Sequence, residues 1–560
     1  MRNLIVPFRS HLLASCLILS VLMCLLGIQC HEQPGPQTII IHANTWSDGV
    51  IQPFDAVAID QGAITATGTT EELLKTKGTK TTIIDAGQQF LCPGFTDAHV
   101  HFLSGGYNLS AVQLREAASR EIFIKTIKEY ALTLPKGEWI LGGDWNHENW
   151  GGQLPERWWI DSITPDHPVA INRLDGHMIL CNSLALKLAG VDDAVQNIAG
   201  GDIPRNNKQQ IIGIFKDNAM DMISIKIPPS SEATDDRSLK AAMDYVSSYG
   251  VTSVHHMGTF DDLKVFMRNQ SSLTTRIYAA TPLSQWRELK IFTDKNGRGN
   301  TMLQWGMLKG FMDGSLGSHT AAMYQDFTDK PGDRGFLINP LDSMQRWILQ
   351  SDAAELRVAV HAIGDQAIGD LLNIFDTTIS VNGEKDRRFR IEHFQHPTMD
   401  QIEHMHRSKV IASMQPYHAI DDGCWAEKVI GTERIKSTYA FKSVSDLKVS
   451  LAFGSDWSVA PAIPILGIDA AVNRETLDGK NKGGWVPEQK ISVNQALRAY
   501  TEGGAYAAFR EKELGSIKEG YLADLVLLDQ DITTIDPFKI KQTQVLWTML
   551  GGKIVYSRIK

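Results

Sequence analysis

Two histidines one residue apart at the end of a short apolar run constrain this chain more than any other feature of its sequence. The stretch PGFTDAHVH covers residues 93–101 and ends in His99 and His101. In an extended backbone, side chains two positions apart point to the same face, so both imidazoles can converge on one cation. The alternative for this motif alone is a pair of polar side chains on the solvated face of a strand.

Three other residues repeat the same arrangement later in the chain. His361 follows the apolar run 358–360, His393 follows residues 390–392, and Asp456 follows residues 451–455. Each is a β-prone segment that ends in an imidazole or a carboxylate. In a (β/α)8 barrel, catalytic residues collect at this carboxyl end of the strands. The pattern therefore predicts an α/β fold with a TIM-like (β/α)8 barrel.

The chain resembles the amidohydrolase superfamily, and within it the exoenzyme-like branch that includes the N-substituted formamide deformylases. The resemblance runs from about residue 38 to the C-terminus. It rests on seven motifs in order, at residues 93–101, 175–177, 309–318, 361–365, 391–393, 454–457 and 520–526. Any one of these motifs could arise by chance, whereas all seven together are hard to explain otherwise.

The donor atoms of these residues suit a divalent metal, with zinc as the expected ion. Imidazole nitrogens and a carboxylate are the ligand mix that zinc and similar ions accept. The five residues could serve one ion, but two ions roughly 3.5–4 Å apart need a bridging anion. Lys309, within the strand-like run 306–311, is the candidate, because a desolvated amine could take up carbon dioxide and become a carbamate. The alternative is a lysine that pairs with Asp313 or another carboxylate.

The family resemblance implies a role for each of these residues. His99 and His101 bind the first metal with Asp456, His361 and His393 bind the second, and carbamylated Lys309 spans both ions. Asp456 is also the expected general base, which takes a proton from water and passes it to the leaving nitrogen. The alternative for Asp456 is an N-cap of the following helix.

Other polar residues in or near these motifs have expected roles around the site. His177 resembles the substrate-side histidine of the family and is the expected donor to the developing oxyanion, with a structural histidine as the alternative. His319 stands where close relatives tend to carry arginine, which puts a carboxylate clamp there in doubt. His255 and His256 end another strand-like run and are candidates for the mouth of the site. Glu392 is expected on the opposite face of its strand from His393.

Strand signals at both ends of the chain flank a long α/β middle. They predict one small β-sandwich domain from residues 38–93 and 510–560, and a metal-dependent barrel from residues 94–509. A Trp-rich region with Gly-Gly turns interrupts the barrel rhythm, so we expect an inserted subdomain after the first strand, at about residues 105–250, that roofs the site. Most of its tryptophans are expected to pack rather than bind substrate.

Composition limits the class and the partners. The chain has 560 residues, 43% hydrophobic and 21% charged, which is typical of globular proteins. A net charge of −9 gives no basic surface for nucleic acid. The expected partner is a small-molecule substrate, and a homodimer and a membrane tether through the N-terminus are both compatible with the sequence.

Residues 1–30 are predicted to form an export leader. Two arginines precede the apolar stretch 12–28, and Cys30 resembles a lipidation cysteine, although Gln29 before it departs from the usual small residue. A lipoprotein, a cleaved soluble periplasmic protein and an uncleaved anchor all remain open, since a spanning helix needs roughly 17–25 residues. Outside this region, Cys92, Cys181 and Cys424 are too few and too scattered for a disulfide framework.

The expected activity is metal-dependent hydrolysis of a C–N bond other than a peptide bond, in an amide, formamide or carbamate-like substrate. A single-metal deaminase on the same barrel is the second hypothesis. A non-catalytic binding protein is the third, and loss of ligand residues would be its signature.

Overall fold

The computed structural model describes residues 35–109 and 111–558. Its strands in chain order are β1 Thr38–Ile41, β2 Asn44–Ser47, β3 Val50–Ile51, β4 Ala56–Asp60, β5 Ala63–Gly68, β6 Thr82–Asp85, β7 Phe90–Pro93, β8 Phe95–Val100, β9 Val112–Gln113, β10 Ile140–Trp145, β11 Val169–Arg173, β12 Met178–Cys181, β13 Gly201–Asp202, β14 Ile214–Asp217, β15 Val251–Met257, β16 Arg276–Pro282, β17 Leu303–Phe311, β18 Arg357–Ala362, β19 Arg390–His393, β20 Ile411–Met414, β21 Leu451–Phe453, β22 Leu525–Leu528, β23 Val545–Leu550 and β24 Lys553–Ser557.

The α-helices in chain order are α1 Thr70–Leu74, α2 Phe102–Asn108, α3 Arg120–Ala131, α4 Ser183–Ala189, α5 Asp221–Ser224, α6 Glu232–Ser248, α7 Phe260–Arg268, α8 Trp286–Asn296, α9 Leu341–Ala353, α10 Asp365–Asn382, α11 Met399–Ser408, α12 Pro416–Asp422, α13 Ala426–Arg434, α14 Phe441–Asp446, α15 Pro464–Asn473, α16 Val493–Arg498 and α17 Gly504–Ala507.

Eight parallel strands form the centre of the molecule, which confirms the predicted TIM-like barrel. They follow the order β8, β15, β16, β17, β18, β19, β20 and β21, and each pairs in parallel with the next. The sheet is nearly closed where β21 leads back to β8: the Asp456 N–H donates to the His99 carbonyl oxygen at 2.7 Å. Gly454 permits this approach, because a Cβ there would lie only 2.5 Å from the His99 nitrogen.

The barrel strands are apolar because both of their faces are covered. β18 and β19 are buried almost throughout, and α10 packs Leu371, Leu372 and Phe375 into the same core. Parallel strands with helices on the outside bury both faces, which gives short continuous apolar runs rather than alternation. Polar side chains are then confined to the strand ends and the barrel interior.

Two further sheets combine strands from both ends of the chain. One has the order β5-β4-β1-β6, and the other has the order β24-β23-β22-β7-β2-β3. Ile40, Val57, Leu525 and Trp547 belong to one hydrophobic cluster shared by these two sheets. This arrangement is the predicted small β-sandwich, while the exact domain limits at residues 93 and 510 stay a prediction.

Between β8 and β15 the chain inserts a six-stranded sheet of order β13-β14-β12-β11-β10-β9. Trp145 and Trp159 are buried in the hydrophobic core on this sheet. They therefore pack the insert, as expected.

Sequence patterns did not identify every strand. The barrel strand β16, Arg276–Pro282, was not predicted, whereas β19 and β22 have the bounds that their apolar runs indicate. Among the residues that the structure describes, no helix is long and apolar enough to span a bilayer. The predicted leader lies outside those residues, so export and a lipid anchor at Cys30 stay predictions.

Candidate metal centre

The six predicted ligand residues come together at the carboxyl end of the barrel. His99 lies in β8 and His101 directly follows it; Lys309 lies in β17, His361 in β18 and His393 at the end of β19, and Asp456 follows β21. A cleft of about 680 Å³ opens above them. Five of the six line it: His101, Lys309, His361, His393 and Asp456. The parallel strands bring residues from distant parts of the sequence to one edge.

His99, His101 and Asp456 form the tightest group in the centre. The Asp456 Oδ1 atom lies 3.3 Å from His101 Nε2 and 3.5 Å from His99 Nε2. The ligand atoms of these three side chains all lie within 4.8 Å of one another. They can therefore hold one cation with two nitrogens and one oxygen.

Hydrogen bonds fix which ring nitrogen three of the histidines present. His99 Nδ1 donates to Glu392 Oε2 at 2.5 Å, and His393 Nδ1 donates to Gln415 Oε1 at 2.9 Å. Since carboxylate and amide oxygens only accept, both rings keep Nε2 as the lone-pair nitrogen. His361 is reversed: its Nε2 donates to the Gly314 carbonyl oxygen at 2.9 Å. Its Nδ1 is then the nitrogen available to a cation.

Burial keeps these imidazoles neutral, which is the form that binds cations. It lowers the pKa of His99 to about 4. Burial also holds the pKa values of His361 and His393 well below their ordinary value, with the neighbouring imidazoles adding to the effect. Each ring can thus offer a lone pair at neutral pH.

Glu392 was expected on the opposite face of its strand, and this expectation was wrong. Its carboxylate points into the barrel, where it contacts His99 and forms an ion pair with Arg390 at 2.7 Å. Glu392 and His393 can both face the centre because His393 has a left-handed backbone, with φ 74°, that ends the strand alternation. Burial raises the pKa of Glu392, but Arg390 and His99 outweigh it and keep the carboxylate charged.

Asp456 has a charged and incompletely hydrogen-bonded carboxylate. Burial raises its pKa, but His99 and His101 outweigh this effect and hold the pKa well below the ordinary range. Among the described residues, its buried Oδ1 has no hydrogen-bond partner. Its backbone is also left-handed, with φ 60°, a conformation that costs about 1–3 kcal/mol in a residue other than glycine.

Lys309 is buried inside the barrel beside the histidines. Its Nζ lies 3.3 Å from His99 Nε2, and burial lowers its pKa to about 8. The expected alternative partner, Asp313, uses its two oxygens to accept the backbone N–H groups of Ala322, Ile363 and Gly364. Asp313 thus anchors the loop after β17 rather than neutralising the lysine.

His177 lies in the cleft wall and belongs to the insert. Its Nδ1 donates to Asp217 Oδ1 at 2.7 Å, and its ring centroid is 5.1 Å from that of His361. Burial lowers the pKa of His177, but the hydrogen bond to Asp217 outweighs it, so that the pKa is raised. The other ring nitrogen, Nε2, remains to contact a substrate.

Arg173 is a second cleft residue from the insert, and no motif pointed to it. Its guanidinium pairs with Asp175 at 2.6 Å, and Asp175 also accepts a hydrogen bond from Ser315 of the barrel at 2.5 Å. These contacts tie the insert to the loop after β17. They also place a fixed positive charge on the cleft wall.

The remaining histidine candidates do not line this cleft. His255 is buried against Arg390, and His256 accepts a hydrogen bond from the Phe102 N–H at 3.0 Å and contacts Asp262. His319 contacts Asp329 at 3.1 Å. In the structure, His255 and His256 contact residues of other barrel elements, and His319 contacts a residue of its own loop.

His418 was not predicted, although it lines the cleft. It lies in the first turn of α12, four residues after the end of β20. The apolar run 410–414 that precedes it is visible in the sequence. The rule used for His361 and Asp456, a polar residue shortly after a strand, would also have found His418.

The residues of the centre fit a divalent cation. Oδ1 of Asp456 and Nδ1 of His361 are buried and have no hydrogen-bond partner within the described part of the chain. Because an unpaired buried polar atom costs about 1–3 kcal/mol, each of these atoms calls for a partner. Neutral imidazoles and a carboxylate, held by further hydrogen bonds, suit zinc or a similar ion.

Comparisons with known proteins agree with this geometry. The sequence profile of the amidohydrolase family matches residues 82–556. Protein LONG AFTER FAR-RED 3 of Arabidopsis thaliana is 35% identical over 528 residues, covering 91% of this chain and 90% of that protein. Putative amidohydrolase YtcJ of Bacillus subtilis is 29% identical, and the alignment covers 90% of this chain and 96% of that protein. The crystal structure of an uncharacterized metal-dependent hydrolase from Pyrococcus horikoshii superposes with a TM-score of 0.72 at 26% identity, over 90% of this chain and 99% of that one.

The comparisons also set the limit of the predicted resemblance. The likeness to the amidohydrolase superfamily is confirmed. The N-substituted formamide deformylase of Arthrobacter pascens is 23% identical over 93% of this chain, so the likeness to the deformylases is distant.

Proposed function

The chain belongs to the amidohydrolase family, and from this premise we propose that it is a metal-dependent hydrolase that cleaves a C–N bond other than a peptide bond in a small molecule. The substrate class is an amide, a formamide or a carbamate-like compound. The observation that carries the proposal is the convergence of His99, His101 and Asp456 within 4.8 Å of one another at the base of a cleft.

The expected ions are one or two divalent cations, with zinc as the first choice. A bound divalent cation lowers the pKa of water toward 7 and polarises a carbonyl group. His99, His101 and Asp456 would hold one ion, and His361 and His393 would contribute to a second. The imidazole rings of His361 and His393 lie 4.5 Å apart, which is consistent with a shared ion.

Asp456 is the proposed general base. Its Oδ1 is charged and buried, and the histidines approach it without a hydrogen bond that would occupy it. It can accept a proton from water and then deliver that proton to the leaving nitrogen. A carboxylate fixed at the end of a strand changes little in position during the reaction.

His177 is the proposed donor to the substrate oxygen. Asp217 fixes the ring through Nδ1 and raises its pKa, which favours the imidazolium form, in which Nε2, the nitrogen left for the substrate, also carries a proton. A preorganised donor aimed at a developing negative charge stabilises the transition state more than the ground state. The insert therefore contributes a catalytic side chain to a site that the barrel builds.

Lys309 is the proposed site of a carbamate. Its neutral amine would add to carbon dioxide, forming an N–C bond and releasing one proton, and the product would carry a carboxylate next to His99. Burial disfavours the ammonium form of Lys309 and so favours the neutral amine that this addition needs. Carbon-13 NMR in labelled bicarbonate tests this: wild-type protein should show a carbamate signal that Lys309→Arg lacks.

The function is tested by incubating the purified zinc-loaded protein with formamides, amides, carbamates and cyclic amines in oxygen-18 water. We expect release of an amine and incorporation of one labelled oxygen into the acid product. Release of ammonia from a ring amine, with one metal per chain, would instead identify a deaminase. No turnover across the panel by a protein that binds two cations would contradict the proposed substrate class.

A further inference from the structure

We propose that His418 is a cation ligand, and that with His393 and Asp456 it completes a second three-ligand set in the centre. This inference rests on the proposed metal dependence of the enzyme. It gives the second cation a set of protein ligands that does not require a modified Lys309, with Asp456 shared between both sets.

The local fold delivers His418 to the same barrel edge as the other ligands. β20 ends at Met414 and α12 begins at Pro416, whose ring fixes the first helical turn. His418 lies within this turn, so its side chain stays at the carboxyl end of the barrel. A ligand in this position follows from the same strand-end geometry that places His393.

The imidazole of His418 is buried without a complete set of partners. The residue is only 8% exposed, and its Nε2 has no hydrogen-bond partner among the described residues. Leaving a buried donor or acceptor unpaired costs about 1–3 kcal/mol. In contrast, His99 bonds Glu392 through Nδ1 and turns Nε2 toward Lys309 and Asp456.

The distances place His418 within reach of a shared ion. One ligand atom from each of His393, His418 and Asp456 lies within 4.8 Å of the other two. The rings of His393 and His418 are nearly parallel, at 7°, with centroids 6.4 Å apart. Ligand bonds of roughly 2.0–2.2 Å to zinc require ligand atoms closer than this limit, so cation binding would draw these side chains together.

Asp456 links the two sets of ligands. One set contains His99 and His101, and the other contains His393 and His418. A carboxylate has two oxygens, so it can contribute one to each ion. Oδ1 lies 3.3 Å from His101 Nε2, while Oδ2 lies 3.9 Å from His393 Nδ1, the nitrogen that also contacts Gln415.

The alternative role for His418 is contact with the substrate alone, since it lines the cleft. The two roles differ in cation binding. A ligand changes the affinity of the protein for a metal without substrate, whereas a residue that only contacts substrate does not. The decisive measurement is therefore made without substrate and does not depend on activity.

The experiment is a titration of metal-free protein with zinc, and separately with cobalt, monitored by calorimetry and by visible absorption. It compares wild type with His418→Asn and His418→Gln, the second of which preserves more of the side-chain volume. His396→Asn is the matched control, because His396 is also buried, bonds Thr438 through Nδ1 and leaves Nε2 without a partner in the described structure. Circular dichroism of each metal-free variant checks the fold.

We expect two cations in wild type and in the His396 control. Both His418 variants should lose at least about 10–100-fold in affinity for one cation and keep the other, because loss of a direct ligand should cost at least as much as loss of an outer-shell partner. The absorption spectrum of bound cobalt should also change in both His418 variants. Two unchanged affinities in a folded His418 variant would overturn the inference, whereas no cation in wild type would instead overturn the proposed metal dependence.

Discussion

The barrel and the insert both contribute to the cleft, but they hold their side chains in different ways. Barrel residues such as His99 and Glu392 are fully buried, and each is fixed by a neighbour on another strand. Insert residues are fixed by ion pairs within the insert, Arg173 with Asp175 and His177 with Asp217. The barrel thus supplies buried donors suited to cations, and the insert supplies charged groups suited to a substrate.

Substitutions in the two regions should therefore have different effects. Changes in the barrel centre should alter cation content together with activity. Changes in the insert should alter turnover while the cations remain. Four changes, one of them the removal of cations, separate cation binding by the barrel from substrate contact by the insert.

Removal of divalent cations should abolish hydrolysis, because the insert alone cannot activate water. Dialysis against a chelator followed by an activity assay measures this effect, and added zinc should restore the rate. The circular dichroism spectrum should keep its helical signal, since the hydrophobic core of the barrel is packed without the cations. Full activity in protein proven free of metal would show that the barrel residues do not act by binding cations.

Asp456→Asn should lower kcat by about 10²–10⁴-fold, because the amide can no longer accept the proton from water. The cation at His99 and His101 should remain, since the amide oxygen can still coordinate it, whereas the cation at His393 and His418 would lose its carboxylate oxygen. Mass spectrometry of metal content and steady-state kinetics check both points. An unimpaired variant would show that another group is the base. The matched control is Asp376→Asn, at an exposed carboxylate that contacts His404.

His177→Gln should lower kcat by about 10²–10³-fold while the metal content stays at the wild-type level. The reason is the loss of a donor to the substrate oxygen, with all barrel ligands intact. His404→Gln is the control, because His404 also pairs with an aspartate, Asp376 at 2.7 Å, but on the surface. A loss of metal from His177→Gln would show that the insert takes part in cation binding.

Glu392→Gln should weaken cation affinity by about 10–100-fold, because His99 loses the carboxylate that fixes its tautomer. Competition with a chromophoric chelator measures the affinity. Glu511→Gln removes a carboxylate that pairs with Arg388 at 2.8 Å, away from the centre, and should leave the affinity unchanged. Equal affinities for wild type and Glu392→Gln would mean that the carboxylate only balances the charge of Arg390.

Sequence reasoning worked best where one short segment carries both the strand and the functional residue. The apolar runs before His361 and His393 predicted strands that the structure contains as β18 and β19. Side-chain alternation in β8 likewise placed His99 and His101 together. In these cases the pattern depends on local backbone geometry, which neighbouring residues determine.

The same reasoning failed where a residue depends on distant parts of the chain. Glu392 contacts His99, which is 293 positions earlier, and only the closed barrel brings them together. Arg173 lines the cleft, and Asp217 holds His177 there, because the insert folds over the barrel and Asp175 bonds Ser315. β16 lacked a strong signal because its run contains polar residues that pair with other regions, such as Arg276 with Asp524.

Local sequence patterns were enough to predict the barrel, the family and the set of imidazole and carboxylate donors, because apolar periodicity and strand-end motifs are local properties. The three-dimensional contacts alone show which ring nitrogen each histidine presents, the inward direction of Glu392, and the positions of Arg173 and Asp217. Those features arise from contacts across the barrel and between the barrel and the insert. Such contacts form only after closure of the sheet has brought distant side chains within hydrogen-bond distance.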